Sequence, residues 1–177
     1  MKILLTIVTA ILVAVFISPA QADNSIELPQ YSKVYDDQRN PFEDAVAAIA
    51  LAKQTNRQVL IEIGGNWCSW CHKMDTFLND NPDIYQALHA NYVLLKINVS
   101  DTNENEAFMK DLPPVLGYPH MYVSTANGKM LLSKDTGELL SGDSYSREYW
   151  LTFLHKWSVK KSEVSAETTL TIQQSTE

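Results

Sequence analysis

The chain's two cysteines stand in the segment Trp67-Cys68-Ser69-Trp70-Cys71. With only two residues between them, they cannot be the long-range staple by which small exported domains compensate for a small core. Their spacing suits exchange chemistry instead. A thiolate is the attacking species in thiol-disulfide exchange, and a helix N-terminus stabilises one through unpaired backbone N–H groups and the positive end of its dipole. Free cysteine has a pKa of about 8.5, which such sites lower to about 3.5–7.5. Cys68, at the head of the segment, is the expected nucleophile. Cys71, one helical turn on, is the expected resolving thiol, which attacks the mixed disulfide and releases the substrate. Exchange of this kind calls for no cofactor.

The same residues admit other chemistry. Cys68-Ser69-Trp70-Cys71-His72 also satisfies C-x-x-C-H, the haem attachment signal in which both sulfurs bond the porphyrin and His72 ligates iron. The two thiolates joined by His120 would suit a carrier of Cu(I) or Zn(II). A peptide-binding chaperone would use Trp67 and Trp70 as its surface and leave the thiols incidental. The elements around the pair weigh among these alternatives.

Val59-Leu60-Ile61-Glu62-Ile63 is short, β-branched and apolar on both alternating faces, the pattern of a strand covered on two sides. Glu62 is its odd member. Gly64-Gly65-Asn66 and the cysteine pair follow, and then Met74, Phe77 and Leu78 at helical spacing from Cys71. The pair therefore stands where a strand gives way to a helix. Upstream, Asn40-Pro41-Phe42-Glu43 reads as a capped helix start, and the apolar face of Phe42, Ala45, Val46, Ile49 and Ala50 predicts a helix over 41–55. Downstream, a helix opens at Asn81-Pro82 and carries Ile84, Tyr85 and Leu88. A strand over 92–99 and a helix around 104–111 follow. This βαβ alternation favours parallel pairing. After Pro119, strand-like runs at 120–124 and 129–133 are joined through the hairpin signal Asn127-Gly128. Tyr145, Tyr149, Phe153, Leu154 and Trp157 mark a last amphipathic helix. The pattern predicts an α/β domain over residues 40–157, with a central mixed sheet flanked by helices. Residues 23–39 read as an extended lead-in, and 158–177, rich in Ser, Thr, Glu and Gln, as a disordered tail.

Lys2, the apolar run 3–17 and Pro19-Ala20-Gln21-Ala22 have the form of a signal peptide cut after Ala22. The run is shorter than the ~20 apolar residues needed to span a bilayer. The net charge of −7 becomes one unit more negative when Lys2 is lost, which argues against nucleic acid as a partner. No hydrolase triad, metal-ligand spacing or Gly-rich phosphate loop stands out, and His89 and His155 read as surface or packing residues.

A strand, Trp-Cys-x-x-Cys, a helix, a βαβ stretch and Gly117-Tyr118-Pro119 before a hairpin together resemble thioredoxin over residues 41–157. The N-terminal helix and residues 67–74 are similar to secreted thioredoxin-like proteins and to the exported domain of transmembrane disulfide interchange reductases. The resemblance implies a thioredoxin-like fold with a cis-proline loop, in which Tyr118 and Pro119 offer backbone to a substrate strand. It sets Glu62 where the family keeps a buried acid beneath the second cysteine, as proton acceptor for Cys71. The residues agree, because a carboxyl in a two-sided apolar strand is desolvated and its pKa is pushed up; a sheet-end carboxylate in water is the alternative. Lys96 interrupts Val93-Leu94-Leu95-Lys96-Ile97 where the family places a lysine beside that acid, so a Glu62–Lys96 contact is expected; a solvated edge-strand amine is the alternative. Trp67 and Trp70 would give an apolar landing surface for substrate, although core packing is a weightier alternative at Trp67 than at Trp70. His72, if protonated, adds positive charge near the thiolates, and a solvated helix histidine is the other possibility. Ser69-Trp70 departs from the family's Gly-Pro, and His120 stands where Thr is common; both bear on the redox potential. The function implied is an exported, periplasmic or secreted thiol-disulfide oxidoreductase, closer to a reductase or isomerase-supporting protein than to an oxidant. A membrane-embedded thiol donor would supply it, and periplasmic disulfide-containing proteins would be its substrates.

Overall fold

A computed structural model describes residues 27–159 of the chain. The run that is apolar on both faces becomes its central strand: β1 spans Gln58–Gly64 and is buried throughout. Along the chain the elements are α1 (Gln30–Lys33), α2 (Pro41–Thr55), β1, α3 (Ser69–Asp80), α4 (Pro82–Asn91), β2 (Tyr92–Asn98), α5 (Glu106–Met109), β3 (His120–Ser124) and β4 (Met130–Asp135). A 3₁₀ turn at Thr136–Leu139 leads to a two-stranded ribbon of β5 (Leu140–Ser141) and β6 (Ser144–Tyr145), and α6 (Arg147–Trp157) closes the described chain. The main sheet has the order β2-β1-β3-β4. β1 runs parallel to β2, with α3 and α4 forming the crossover, and antiparallel to β3, which pairs antiparallel with β4. The sheet is mixed and helices cover both of its faces.

Side chains alternate between those faces. Val59, Ile61, Ile63, Val93, Leu95, Ile97 and Tyr122 pack with Ala48 and Ala52 of α2. Leu60, Leu94, Met121 and Val123 pack on the other side with Met74, Leu78, Leu88, Trp150 and Phe153 of α3, α4 and α6. Glu62 and Lys96 are register partners, and the two-residue period puts both on the face that α3 covers. Local chemistry ends the elements as their residues require. The Asn40 side chain accepts from the Phe42 N–H at 3.0 Å and its amide meets Glu43 at 3.1 Å, while Asn56 closes α2 in the left-handed region at φ 52°. Gly128, at φ 79°, turns the β3–β4 hairpin.

Three expectations change. The helix expected around 104–111 is the single turn α5. Tyr145 belongs to the β5–β6 ribbon, and the last helix starts after it, capped by Ser146. The extended lead-in instead carries α1, buries Tyr31 and Tyr35, and is tied to β2 by the Ser32 hydroxyl donating to the Leu94 carbonyl. Two aromatic rings outweigh the missing periodicity there, so the packed domain includes α1. The signal peptide expected over 1–22 and nearly all of the disordered tail expected over 158–177 fall outside the described residues, among which no helix is long and apolar enough to cross a membrane.

Burying a large apolar side chain contributes about 1.5–3 kcal/mol. A chain beginning at Asp36, lacking both buried tyrosines, should therefore lose about 3 kcal/mol or more in urea unfolding. An unchanged midpoint would show that the lead-in adds nothing to the core.

Candidate active site

β1 runs out at Gly64 and the chain turns through Gly65 and Asn66 into α3, so the cysteines head that helix. Cys68 is the N-cap. Its sulfur accepts the Cys71 N–H at 3.1 Å, and its carbonyl accepts from Cys71 and His72 at 3.1 and 3.2 Å. The Cys71 N–H is one that a helix start otherwise leaves unpaired, and the His72 bond is the first regular turn of the helix. The two cysteines are joined as a disulfide with a Cα–Cα distance of 5.2 Å. Both are buried, in a cluster with Tyr35 and Trp70.

Two glycines make this approach possible. A Cβ on Gly64 would lie 2.6 Å from both the Cys71 Sγ and the Tyr35 Oη. A Cβ on Gly65 would lie 2.5 Å from the Trp67 indole nitrogen. With that space open, the Trp67 N–H donates to the Val99 carbonyl at 2.6 Å and the indole meets Tyr118 edge to face, with centroids 5.1 Å apart. The Tyr118–Pro119 peptide is cis, and the buried Thr136 hydroxyl donates to the Pro119 carbonyl at 2.6 Å. Trp67 thus links the cysteine turn to the cis-proline loop.

Glu62 is 1% exposed and accepts a hydrogen bond from the Tyr35 hydroxyl. The Lys96 ammonium is 3.8 Å from Glu62 but donates to both oxygens of Asp75, at 2.6 and 2.8 Å. Burial raises the Glu62 pKa, and the Asp75 charge adds to that, against the opposing pull of Lys96 and the Tyr35 hydrogen bond. For Lys96, burial works against the ammonium, and the two carboxylates more than offset it. Lys96 lies on an edge strand, yet α3 covers it.

The indoles reverse their expected balance. Trp67 is 56% exposed. Trp70 is half-buried, edge to face with Tyr145 at 6.1 Å and with the Lys73 ammonium 3.9 Å from its ring centre. The helix turns Trp70 back onto β6, whereas the glycine turn leaves Trp67 outside. His72 has its Nε2 2.9 Å from the Asn66 carbonyl, so haem attachment would need His72 to leave that contact and both sulfurs to leave the disulfide. His120 is fully buried. Its register with Ile63 sets it on the α2 face, away from Glu62, where Ser133 lies 2.9 Å from its Nε2. Among the described residues, no group of three His, Cys, Asp or Glu side chains could hold a metal ion. His89 is buried in packing against Tyr85, with its pKa lowered to about 4 by burial, while His155 is exposed.

Tyr35, Asp75 and Gly64 escaped the sequence reading. Asp75 had a signal, since it lies four residues after Cys71 on one helix face. Tyr35 lies in an aperiodic stretch and had none.

Because the folded carboxyl of Glu62 holds its proton more tightly than the unfolded chain does, the fold loses stability as pH rises from the ordinary carboxyl value of 4.5 through the raised one. The stability of Glu62→Gln relative to the parent should therefore climb with pH across that window and level off below it. Urea unfolding at several pH values measures this, and a pH-independent difference would refute it.

Residues 40–126 match the family model described as thioredoxin-like. Over 80 residues the chain is 28% identical to the thiol:disulfide interchange protein DsbD of Klebsiella pneumoniae subsp. pneumoniae; the match takes in 45% of this chain and spans 13% of that protein's length. The structure of the disulphide isomerase from Xylella fastidiosa Temecula1 is similar with a TM-score of 0.59 at 23% identity, covering 75% of this chain and 98% of the other. The reduced C-terminal domain of Neisseria meningitidis DsbD gives a TM-score of 0.51 at 18% identity, covering 67% and 96%. Both share the fold.

Proposed function

We propose, from the premise that the chain carries a thioredoxin-like domain, that it is an exported thiol-disulfide oxidoreductase working mainly as a reductase or in support of isomerisation. The observation that carries this reading is a disulfide capping the first turn of α3 with a buried carboxyl, its pKa raised by burial, behind it. The matched relative is by name a thiol:disulfide interchange protein, which agrees.

In the reduced chain, Cys68 takes the cap position, where the helix N-terminus favours its thiolate. It attacks one sulfur of a substrate disulfide. The substrate S–S bond breaks, a Cys68–substrate disulfide forms, and the second substrate sulfur leaves as a thiolate and takes a proton from water. Cys71 then gives its proton to Glu62 and attacks the Cys68 sulfur, releasing the first substrate sulfur and closing the Cys68–Cys71 disulfide. Two electrons pass to the substrate. The raised pKa of Glu62 moves it toward the working range of a base near neutral pH. Lys96 is the positioning partner that makes the buried charge tolerable.

Trp67 and Tyr118 form an exposed aromatic pair beside the disulfide, and Pro119 leads into β3. An extended segment of a periplasmic disulfide protein would land there, with Trp70 forming the less exposed flank. Each turnover leaves the chain oxidised, so a thiol donor must reduce it again. For an exported protein, a membrane-embedded donor meets that need.

Titration of the pair against glutathione, together with trapping on Cys71→Ser, tests the reading. We expect a two-electron transition at a potential more negative than about −180 mV, a stable mixed disulfide on Cys71→Ser, and no turnover by Cys68→Ser. A potential near about −120 mV would make the chain an oxidant. Absence of any mixed disulfide, or the visible spectrum of a covalent haem, would sink the exchange reading altogether.

A further inference from the structure

Glu62 and Cys71 come together through a third side chain. The Tyr35 hydroxyl donates to the Glu62 Oε1, and the Tyr35 Oη and Cys71 Sγ both lie 2.6 Å from the Cβ position that Gly64 leaves empty. Hydroxyl and sulfur are therefore no farther apart than twice that distance, and Tyr35, Cys68 and Cys71 pack in one buried cluster. The tyrosine is held from several sides. The Asn66 amide donates to the Tyr35 carbonyl at 3.1 Å, and the Lys96 ammonium lies 4.8 Å from the ring centre. The other groups facing this centre are Lys96 of β2, Asp75 of α3 and Tyr145 of β6. Lys96 directs its donors to Asp75, which leaves the Tyr35 hydroxyl as the hydrogen-bond donor to Glu62 on the cysteine side.

We propose that Tyr35 relays the Cys71 proton to Glu62 when Cys71 attacks the mixed disulfide; this rests on the exchange function argued above. The Cys71 S–H bond breaks as its proton passes to the Tyr35 Oη, and the tyrosine's own proton passes to the Glu62 Oε1. The electron pair left on Cys71 forms the bond to the Cys68 Sγ. The Cys68–substrate bond breaks, and its pair leaves on the substrate sulfur. Tyr35 ends as it began and Glu62 carries one proton, so no further oxidant or base enters. Burial, with the Glu62 charge beside it, pushes the tyrosine's pKa well above its ordinary value. The phenol therefore stays protonated through the cycle and acts as a conduit. The segment before α2 thereby becomes part of the redox site.

Tyr35→Phe removes the hydroxyl and keeps the ring. The reduced full chain is oxidised with oxidised glutathione under rapid mixing. Mixed-disulfide formation is timed on the Cys71→Ser background and ring closure on the Cys71 parent. We expect Tyr35→Phe to leave the first step unchanged and to slow closure at least about tenfold, less than the roughly 100-fold or more that a positioned proton acceptor contributes, because Glu62 itself stays in place. The acid limb of the closure rate should move to higher pH, because Glu62 loses a donor that favours its ionised form. On a Glu62→Gln background the same substitution should change closure by no more than about twofold. Gly64→Ala, which drives a methyl between hydroxyl and sulfur, should slow closure in the same selective way and serves if Tyr35→Phe folds poorly. Parental closure rates and pH profile in Tyr35→Phe, or equal slowing of both steps, would overturn the relay. If the parent forms no mixed disulfide at all, the exchange function falls instead.

Discussion

A carboxyl group taken out of water in the middle of a sheet costs several kcal/mol to keep ionised unless partners surround it. Glu62 is such a group, and much of the surrounding structure can be understood as what makes it tolerable. The parallel register of β1 and β2 brings Lys96 directly beside it. That lysine would suffer the same penalty alone, and α3 answers with Asp75, whose carboxylate takes the ammonium's hydrogen bonds. On the other side, the hydroxyl of Tyr35 supplies the donor that Lys96 directs elsewhere. Three elements distant in sequence are thus fastened to one strand residue. The balance among them leaves the carboxyl pKa raised, burial and Asp75 outweighing Lys96 and Tyr35.

The topology puts the sulfurs where that balance can reach them. In a βαβ unit the chain leaves the C-terminal end of one strand and enters a helix at its N-terminus, so residues of the intervening turn lie beside both the strand end and the positive pole of the helix. Here that turn is Gly64-Gly65-Asn66-Trp67, and its glycines leave unfilled the volume that the Cys71 sulfur, the Tyr35 hydroxyl and the Trp67 indole occupy. The sheet's change of direction at β3 matters equally. Because β3 runs antiparallel to β1, its first residues and the cis-proline before them stand at the strand end from which the cysteine turn departs.

Much of this was legible in the residues. A two-sided apolar strand, proline and asparagine at helix starts, and an Asn-Gly hairpin each impose local geometry, so α2, β1, β2 and β3 fall within a residue or two of their expected limits. Glu62 and Lys96 stood out because a charge inside an apolar run is anomalous wherever the run folds. What was hidden depends on packing that no local pattern encodes. Tyr35 lies in an aperiodic stretch and is buried only because β2 and the Asn66 turn offer it a place. The exposures of Trp67 and Trp70 depend on which way the first turn of α3 faces, and three residues of spacing are too few to fix that. Asp75 was legible in principle, four residues from Cys71 on one helix face, but a surface acid on a helix is ordinarily a solvated one.

The two sulfurs end up in different surroundings, and the proposed exchange divides its work along that asymmetry. Cys68 occupies the cap, where backbone N–H groups stabilise negative charge without needing a proton acceptor, and Trp67, from the same turn, carries the exposed aromatic surface. Cys71 lies one turn inside, behind the first sulfur and against Tyr35 and the Gly64 backbone, where a thiolate gains less from the helix end and its proton has no direct route to water. In the proposed exchange, a sulfur so enclosed hands its proton to the protein before it attacks, and the group suited to take it is a carboxyl whose own burial has raised its affinity for one. The cost of burying Glu62 and the requirement of the proposed second exchange step are therefore the same physical fact, met at one point of the sheet.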